Sequence, residues 1–255
     1  MKKIIVILGQ TATGKSALAV KIAKKINGEI ISADSRQVYK GLDIGTGKIT
    51  KKEMQGIPHH LLDVANPKNK FTVTEYQKQA VYAIGQIVKR KKIPIIVGGT
   101  GFYIDAITKG VVFPEVPPNN KLRKVLEKMT TPELFKMLIK LDNARSKNID
   151  KNNKVRLIRA LEIAKALGKV PSLVKEKPKY TFIKVGLHLP ADKLEKEVKD
   201  RVKKMFKDGL LKEIKKLKRS GVSDKRLREL GFEYFEPTEE KVITETIKYA
   251  KRQMT

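Results

Sequence analysis

The stretch IIVILGQTATGKS, residues 4–16, decides the fold. Five consecutive apolar residues, from Ile4 to Leu8, precede the pattern G-x-x-x-x-G-K-[ST], which runs from Gly9 to Ser16. The apolar run predicts a buried strand, and the residues after Ser16 have the apolar spacing of a helix. A strand, a glycine loop and a helix start in this order predict a phosphate-binding loop, in which backbone N–H groups and the positive end of the helix dipole surround phosphate oxygens.

The loop supplies two side chains with separate roles toward a phosphate. Lys15 brings a positive charge, and the hydroxyl of Ser16 is suited to Mg²⁺. The alternative is a chance glycine turn, which we would not expect between a buried strand and an amphipathic helix. Kinases, hydrolases and group transferases all use such a loop, so it does not identify the phosphate. The predicted phosphate-binding residues are Gly9, Gln10, Thr11, Ala12, Thr13, Gly14, Lys15 and Ser16.

Strands and helices alternate along the rest of the chain. This order predicts an α/β fold of the P-loop NTPase type, with a parallel sheet flanked by helices. The predicted strands after the first are residues 29–33, 93–97 and 181–189. The predicted helical segments are residues 16–26, 74–90, 121–167, 194–218, where we expect one long basic helix, and 239 to the end.

A proline-punctuated segment at residues 114–118 separates the first strands from the helical stretch. We therefore predict a catalytic core in two parts, residues 1–116 and 179–255, with a helical insertion or lid at 117–178.

The charge is strongly positive, with 56 Lys and Arg against 27 Asp and Glu. Residues 193–228 alone carry 15 basic and 6 acidic side chains. A surface that follows a phosphate backbone would use such a concentration, so a polyanionic partner is predicted. The alternative is a lysine-rich sequence whose charges only solvate helix faces.

Residue types that are rare or missing exclude several classes. The chain has no cysteine, which excludes disulfide frameworks and thiolate metal sites. Its early apolar run is too short for a signal sequence or a membrane span, so we expect a soluble, cytoplasmic protein without membrane contact. Of three histidines, His59 and His60 are adjacent and are interpreted as structural or loop polar groups rather than metal ligands.

Three predicted strand ends carry glycine or polar residues: the glycine loop, Asp34-Ser35, and Gly98-Gly99-Thr100. The carboxyl ends of parallel strands meet in one crevice, so these groups should converge. Asp34 is then the only strand-end carboxylate opposite a phosphate cradle. It suits a reaction in which diphosphate leaves and Asp34 takes a proton from the incoming nucleophile. The alternative for Asp34 is an ordinary capping residue after a strand.

Several longer motifs carry a resemblance to a known family. The sequence resembles the bacterial tRNA dimethylallyltransferases, which prenylate N6 of adenosine 37 beside the anticodon. The motifs that match span nearly the whole chain in the family's order, and ADSRQVYKGLDIGTGK and GGTGFY are the most specific. The matching stretches are GQTATGKSALA, ISADSRQVYKGLDIGTGK, PHHLLD, IPIIVGGTGFY, VRLIRALEI, DRVKKMFKDGLLKE and YAKRQMT.

The resemblance implies a role for four catalytic residues. The glycine loop would hold the diphosphate of dimethylallyl diphosphate with Mg²⁺, and Lys15 and Arg201 would neutralise the leaving diphosphate. Asp34 would be the general base on the adenine amine, with Thr100 as its hydroxyl neighbour.

The resemblance also implies tRNA contacts and partners. The partners would be the anticodon stem-loop of tRNA and dimethylallyl diphosphate, and we expect a monomer. The tRNA-contacting positions implied are Asp34, Ser35, Arg36, Gln37, Thr100, Arg123, Val155, Arg156, Leu157, Ile158 and Arg159.

Other functions stay open on the sequence alone. An adenylate prenyltransferase acting on a free nucleotide is the nearest alternative, although it would need neither the helical insertion nor the basic surplus. The loop by itself also fits a small-molecule kinase, and the charge fits a noncatalytic RNA-binding protein. The family usually continues beyond KRQ-x-T, and residues 229–255 are less regular than its pattern, so the chain is either naturally short or truncated.

Overall fold

The computed structural model describes residues 2–172 and 178–254 of the chain. Thr255, the last residue of the YAKRQMT motif, and residues 173–177, near the end of the predicted insertion, lie outside the described residues. The chain divides into two compact units: Met1–Gly110 with Lys177–Thr255, here called the sheet unit, and Val111–Glu176, here called the helical unit.

The sheet unit contains a parallel sheet of five strands in the order β3-β2-β4-β1-β5. Every neighbouring pair is parallel, so the connections must cross over the sheet through helices. This confirms the predicted α/β class. The strands are β1 Lys3–Gly9, β2 Gly28–Ser32, β3 His59–His60, β4 Ile93–Gly98 and β5 Thr181–Leu187.

Helices surround this sheet and build the second unit. Those of the sheet unit are α1 Lys15–Lys25, α2 Lys51–Met54, α3 Val73–Lys89, α4 Gly101–Thr108, α9 Ala191–Asp208, α10 Leu210–Arg219, α11 Asp224–Leu230 and α12 Glu239–Arg252. Those of the helical unit are α5 Asn120–Leu126, α6 Thr131–Leu141, α7 Asn143–Ser146 and α8 Lys154–Leu167.

The central strands β2 and β4 are buried on both faces of the sheet. All of β2 is buried, and its neighbours Ile30 and Ile31 belong to different core clusters. Ile30 packs with Ile95 in the cluster that α1 covers, and Ile31 packs with Ile96 in the cluster that α3 covers. Adjacent residues of a strand point to opposite faces, so the unbroken run of buried residues in β2, and from Pro94 onward in β4, indicates a sheet covered on both sides.

One sequence prediction of secondary structure was wrong, and one short strand was not predicted. The basic segment 194–218 is not one helix, because Gly209 adopts φ +104° and separates α9 from α10. Apolar residues keep their helical spacing on both sides of Gly209, so the spacing did not indicate that the helix ends there. His59 and His60, predicted to be structural or loop polar groups rather than metal ligands, form the short strand β3 beside β2, which the sequence did not predict.

A buried carboxylate anchors the sheet at the start of β2. Glu29 is 2% exposed and pairs with Arg90 at 2.6 Å, with His60 at 2.7 Å and with Lys92 at 2.9 Å. Burial alone would raise the pKa of Glu29, but the hydrogen bonds from these three groups hold the pKa at about 2. His60 therefore has a structural partner in the sheet.

The helical unit has its own apolar core, which α6 and α8 supply in large part. Leu134, Leu138, Leu157 and Leu161 are fully buried in it. Inside the unit, Glu162 is 2% exposed and accepts from the guanidinium of Arg123 at 2.6 and 2.7 Å. Such a bidentate pair compensates the charge of a buried carboxylate.

The ends of β2 and β4 approach each other very closely. A Cβ atom on Gly98 would lie 2.1 Å from the carbonyl oxygen of Ala33, which is backbone and cannot rotate away. The Ala33 N–H also donates to the carbonyl of Val97 at 2.7 Å. Only glycine fits at the end of β4, and the loops after the two strands are brought together as a result.

No helix among the described residues combines the length and the apolar character needed to cross a bilayer.

Replacement of Gly98 tests this close approach. We expect Gly98→Ala to lower the free energy of unfolding by about 3 kcal/mol or more, because an added methyl overlaps backbone atoms. Urea denaturation followed by circular dichroism measures the change.

The matched control is Gly85→Ala in α3, where an added Cβ meets no atom within 4 Å. This change should stabilise by roughly 0.5–1 kcal/mol, since alanine is the better helix former. Equal stabilities of Gly98→Ala and the parent protein would contradict the close approach.

Candidate active site

Three strand ends lie side by side at one edge of the sheet, because β4 is hydrogen-bonded between β2 and β1. The phosphate loop follows β1, Asp34 follows β2, and Thr100 follows β4. The Thr100 N–H donates to the carbonyl of Ala33 at 3.1 Å, which ties the loop after β4 to the end of β2. The geometry therefore brings together the groups that the sequence predicts to converge.

One oxygen of the Asp34 carboxylate is held by backbone. Oδ1 accepts from the N–H of Arg36 at 2.8 Å and of Gln37 at 3.2 Å. Asp34 thus does cap the turn that follows β2, which was the alternative role for this residue. No described residue donates a hydrogen bond to Oδ2 of Asp34, so the second oxygen stays available to a substrate proton.

Thr100 is tied to the residue after Asp34. Its Oγ1 accepts from the N–H of Ser35 at 3.0 Å and lies 3.3 Å from the Ser35 hydroxyl. These bonds fix the loop after β2 to the first residue before α4. These hydrogen bonds therefore fix the positions of Asp34 and Thr100 relative to each other.

The glycine loop has the geometry of an anion cradle. Ala12 and Gly14 both have positive φ, +63° and +78°, and Gly14 is the N-cap of α1 without a side chain to cap it. The N–H groups of a first helical turn have no partner inside the helix, so those of α1 remain for an anion. Within the loop, the Thr13 hydroxyl and the Lys15 ammonium donate to the carbonyl of Gln10.

Two largely buried cations, Lys15 and Arg201, lie near each other and near Asp34. Burial and the positive charge of Arg201 together lower the pKa of Lys15 to about 8, while Asp34 opposes the change. Burial also lowers the pKa of Arg201, although Asp34 and Glu233 raise it. The guanidinium donates to the carbonyl of Thr46 at 2.9 Å. Two partly desolvated cations repel each other, and an anion bound between them would relieve both penalties.

A cleft of about 340 Å³ opens beside these groups. Its wall combines charged residues with apolar ones from α9, α12 and the segment after α11. Its lining residues are Thr11, Asp34, Ser35, Arg36, Gly45, Thr46, Arg201, Val202, Met205, Gly231, Phe232, Glu233, Thr246, Tyr249 and Arg252.

Three residues of this region were missed from the sequence. Burial raises the pKa of Glu233 to about 7, so this carboxyl group titrates near neutral pH in spite of Arg36 and Arg201. Tyr249 of α12 lines the same cleft. Gln253, just after α12, accepts from the Thr11 N–H at 2.8 Å and donates to the Gly99 carbonyl at 3.0 Å. The only feature of the sequence that marked Gln253 was its place in the KRQ motif.

The predicted tRNA-contacting residues fall in different surroundings. Arg36 and Gln37 are half-buried beside Asp34 in the sheet unit. In the helical unit, Val155 and Arg156 are exposed on the first turn of α8. Arg159 is half-buried and donates to the carbonyl of Val116 at 2.8 Å.

Three other predicted positions have structural roles in the helical unit. Leu157 and Ile158 are 0% and 8% exposed, so their side chains belong to its core. Arg123 pairs with Glu162, as described above. A direct contact of these two apolar side chains with RNA is therefore not expected.

Among the described residues, no group of three or more His, Asp and Glu side chains is arranged to hold a metal ion. Ser16 lies exposed on the first turn of α1, one residue after Lys15. A cation there would need oxygens from a bound phosphate and from water for most of its ligands.

The model of the IPP transferase family matches residues 37–255. A tRNA dimethylallyltransferase of Anoxybacillus flavithermus is 40% identical over 100% of this chain and 86% of its own length. One from Leuconostoc citreum is 39% identical over 100% of this chain and 90% of its own.

Solved structures agree with the sequence relatives. The full-length tRNA isopentenylpyrophosphate transferase of Bacillus halodurans is 35% identical, with a TM-score of 0.72 over 100% of this chain and 86% of its own. A eukaryotic dimethylallyltransferase acting on tRNA is 30% identical, with a TM-score of 0.83 over 99% of this chain and 69% of its own. The chain belongs to the IPP transferase family, whose relatives here are prenyl-transferring enzymes that modify tRNA.

Proposed function

We propose that this protein transfers the dimethylallyl group of dimethylallyl diphosphate to N6 of adenosine 37 in tRNA and releases diphosphate. The observation that carries the proposal is the closeness of two buried cations, Lys15 and Arg201, to the carboxylate of Asp34, which lines the cleft together with Arg201. The family membership and the names of the relatives support the same reaction.

The charges match the demands of the reaction. An allylic diphosphate ionises readily because its cation is delocalised, so the main requirement is to stabilise negative charge on the leaving diphosphate. Lys15, Arg201 and the N–H groups at the start of α1 are suited to this task. We propose that a Mg²⁺ ion, held by the Ser16 hydroxyl and the diphosphate, adds to this neutralisation.

The opposite side of the cleft fits the acceptor. The adenine N6 amine is a weak nucleophile, so it must be unstacked and held close to the allylic carbon. As the N6–carbon bond forms and the carbon–oxygen bond breaks, Oδ2 of Asp34 takes the proton that N6 loses. Val202, Met205 and Phe232 offer apolar surface for the dimethylallyl group in the same cleft.

On this proposal, the basic helices α9 and α10 contact the tRNA backbone. Along α9 and α10 the lysines outside the buried stripe are exposed, as on any amphipathic helix. These two helices carry ten lysines against six acidic residues, and a tRNA phosphate backbone is a ligand of the matching charge. The cytoplasm, where tRNA is processed, is the proposed location.

The first test is incubation with labelled dimethylallyl diphosphate and unmodified tRNA, followed by mass analysis of the nucleosides. We expect one prenylated adenosine per tRNA molecule, and mass analysis of a ribonuclease digest should place it at position 37. Asp34→Asn should lower the single-turnover rate by roughly a hundredfold or more, the contribution of a general base, while tRNA affinity changes little.

Other outcomes of this assay would support other functions. Prenylation of AMP without prenylation of tRNA would indicate an adenylate prenyltransferase. Phosphoryl transfer from ATP with no use of the prenyl donor would indicate a kinase. An Asp34→Asn variant with an unchanged single-turnover rate would remove Asp34 from the chemistry.

The second test is the pH dependence of diphosphate binding. The pKa of Lys15 is about 8 without ligand, so the ammonium is charged below that pH and loses its proton above it. Inorganic diphosphate needs the charged form, and its affinity should fall by up to about tenfold per pH unit above pH 8. Titration calorimetry from pH 7 to 9.5 measures this.

The comparison is Lys15→Ala with the same ligand. This variant should bind diphosphate more weakly and lack the extra pH dependence, since the ligand's own titration is common to both proteins. Parallel pH profiles would show that Lys15 does not titrate against the bound anion.

The third test concerns the exposed start of α8. Arg156→Ala should weaken tRNA binding and reduce the slope of log K against log salt by about 0.7–0.9, the effect of one lost phosphate contact. Lys24→Ala, at the end of α1 remote from the phosphate loop, is the matched control and should leave the slope unchanged. Equal slopes for Arg156→Ala and the parent protein would exclude Arg156 from the tRNA interface.

A further inference from the structure

We propose that Glu213 of α10 is a positioning residue that sets the place of Arg201 through the loop of residues 43–47. The proposal rests on the proposed role of Arg201 in neutralising the diphosphate. It assigns a function to a carboxylate that lies outside the lining of the cleft.

Glu213 is a buried carboxylate whose oxygens are occupied by neutral donors. Its side chain is on the apolar face of α10, and the residue is 9% exposed. Oε2 accepts from the N–H of Asp43 at 2.9 Å and of Ile44 at 2.8 Å. Oε1 accepts from the N–H of Gly45 at 3.1 Å and from the Tyr234 hydroxyl at 3.0 Å.

No ion pair to Glu213 is found in the described part of the chain. A buried carboxylate is costly unless its lone pairs are satisfied, so the three consecutive N–H groups and the hydroxyl are what stabilise this charge. Consecutive N–H groups point to one carboxylate only when the backbone of the loop curves around it. The negative charge therefore fixes the shape of residues 43–45.

The shape of the loop continues to the contact with Arg201. The Gly47 N–H donates to the carbonyl of Ile44 at 2.9 Å, and the Thr46 hydroxyl donates to the carbonyl of Leu42 at 2.7 Å. These bonds direct the carbonyl of Thr46 toward Arg201, whose Nη2 donates to it at 2.9 Å. Glu213 and Arg201 are thus joined by one short stretch of backbone.

Gly47 shows how closely the guanidinium passes the loop. Its φ is +57°, and a Cβ atom there would lie 2.2 Å from Nη2 of Arg201. A small change in the loop would therefore displace the guanidinium. When a catalytic site depends on the position of a charged group, misplacement of that group by about 1 Å can lower the reaction rate about a hundredfold.

The other partner of Glu213 leads to the same cleft. Tyr234 is 1% exposed, and the residues just before it, Phe232 and Glu233, line the cleft. Glu213 therefore joins α10, the 43–47 loop and the segment after α11 through one carboxylate. Loss of its charge should disturb the position of Arg201 more than the binding of tRNA.

The experiment replaces Glu213 by Gln, which keeps the size but loses the charge and one acceptor. We expect Glu213→Gln to weaken inorganic diphosphate binding and raise the KM for dimethylallyl diphosphate about tenfold or more, with tRNA affinity changed less than twofold. Titration calorimetry, steady-state kinetics and filter binding are the measurements.

The matched control is Glu29→Gln, a buried carboxylate of the same unit at the start of β2. It should lower the urea midpoint yet keep diphosphate affinity. A similar loss of diphosphate affinity in both variants would mean that Glu213 acts only through overall stability, and would overturn the proposal.

A double variant that combines Glu213→Gln with Arg201→Ala tests whether Glu213 acts through Arg201. If Glu213 acts through Arg201, Glu213→Gln should cause no further loss of diphosphate affinity in the Arg201→Ala background. Losses that multiply would overturn the proposal. Tyr234→Phe, which removes one of the four donors and keeps the charge, should give a smaller loss that also disappears in that background, and it serves if Glu213→Gln does not fold.

The outcomes separate this proposal from the proposed function. If Arg201→Ala binds diphosphate as the parent does, the assigned role of Arg201 fails, and this proposal fails with it. If the protein prenylates no tRNA, yet Glu213→Gln and Arg201→Ala show the non-multiplying losses, the reaction is wrong and the positioning role stands.

Discussion

At Gly98, the ends of β2 and β4 approach so closely that no side chain fits between them. This contact lies in the middle of the sheet, since β4 is flanked by β2 and β1. Everything that follows these strands is therefore held within a short distance: the phosphate loop, Asp34 and Thr100. The hydrogen bonds between the loops, from Thr100 to Ala33 and from Ser35 to Thr100, depend on the same approach.

For the candidate active site, the position and burial of each charge matter more than the total charge of the protein. The chain carries a formal charge of +29, but most basic side chains are exposed and screened by solvent. Lys15 and Arg201 differ, because burial lowers the pKa of each of them. Desolvated charges interact strongly, so these two would contribute more to the proposed anion binding than many lysines on the outer helices.

The sequence predicted well what depends on local pattern. The strand and loop at residues 4–16, the helices near 16–26 and 74–90, and the α/β class all follow from apolar period and glycine placement. The break at Gly209 was missed although a glycine marks it, because apolar spacing resumed after it. Strand β3 was missed because two histidines carry no strand signal, and only pairing with β2 makes them one.

The site was predictable only where a motif marks it. Asp34 and Thr100 follow strands, so topology alone brings them together. Glu213, Glu233 and Gln253 reach the site through contacts over long sequence distances, and no period or spacing reports such contacts. Their roles depend on three-dimensional packing, which the sequence does not express locally.

The hydrogen bond between Gln253 and the phosphate loop has a consequence for the protein during its synthesis. The Thr11 N–H and its acceptor are 242 residues apart, so the phosphate loop is completed by a residue that the ribosome adds long after the loop itself. Contacts this distant form late in folding. The phosphate loop of a nascent chain thus lacks this hydrogen bond until Gln253 has been made and α12 has packed.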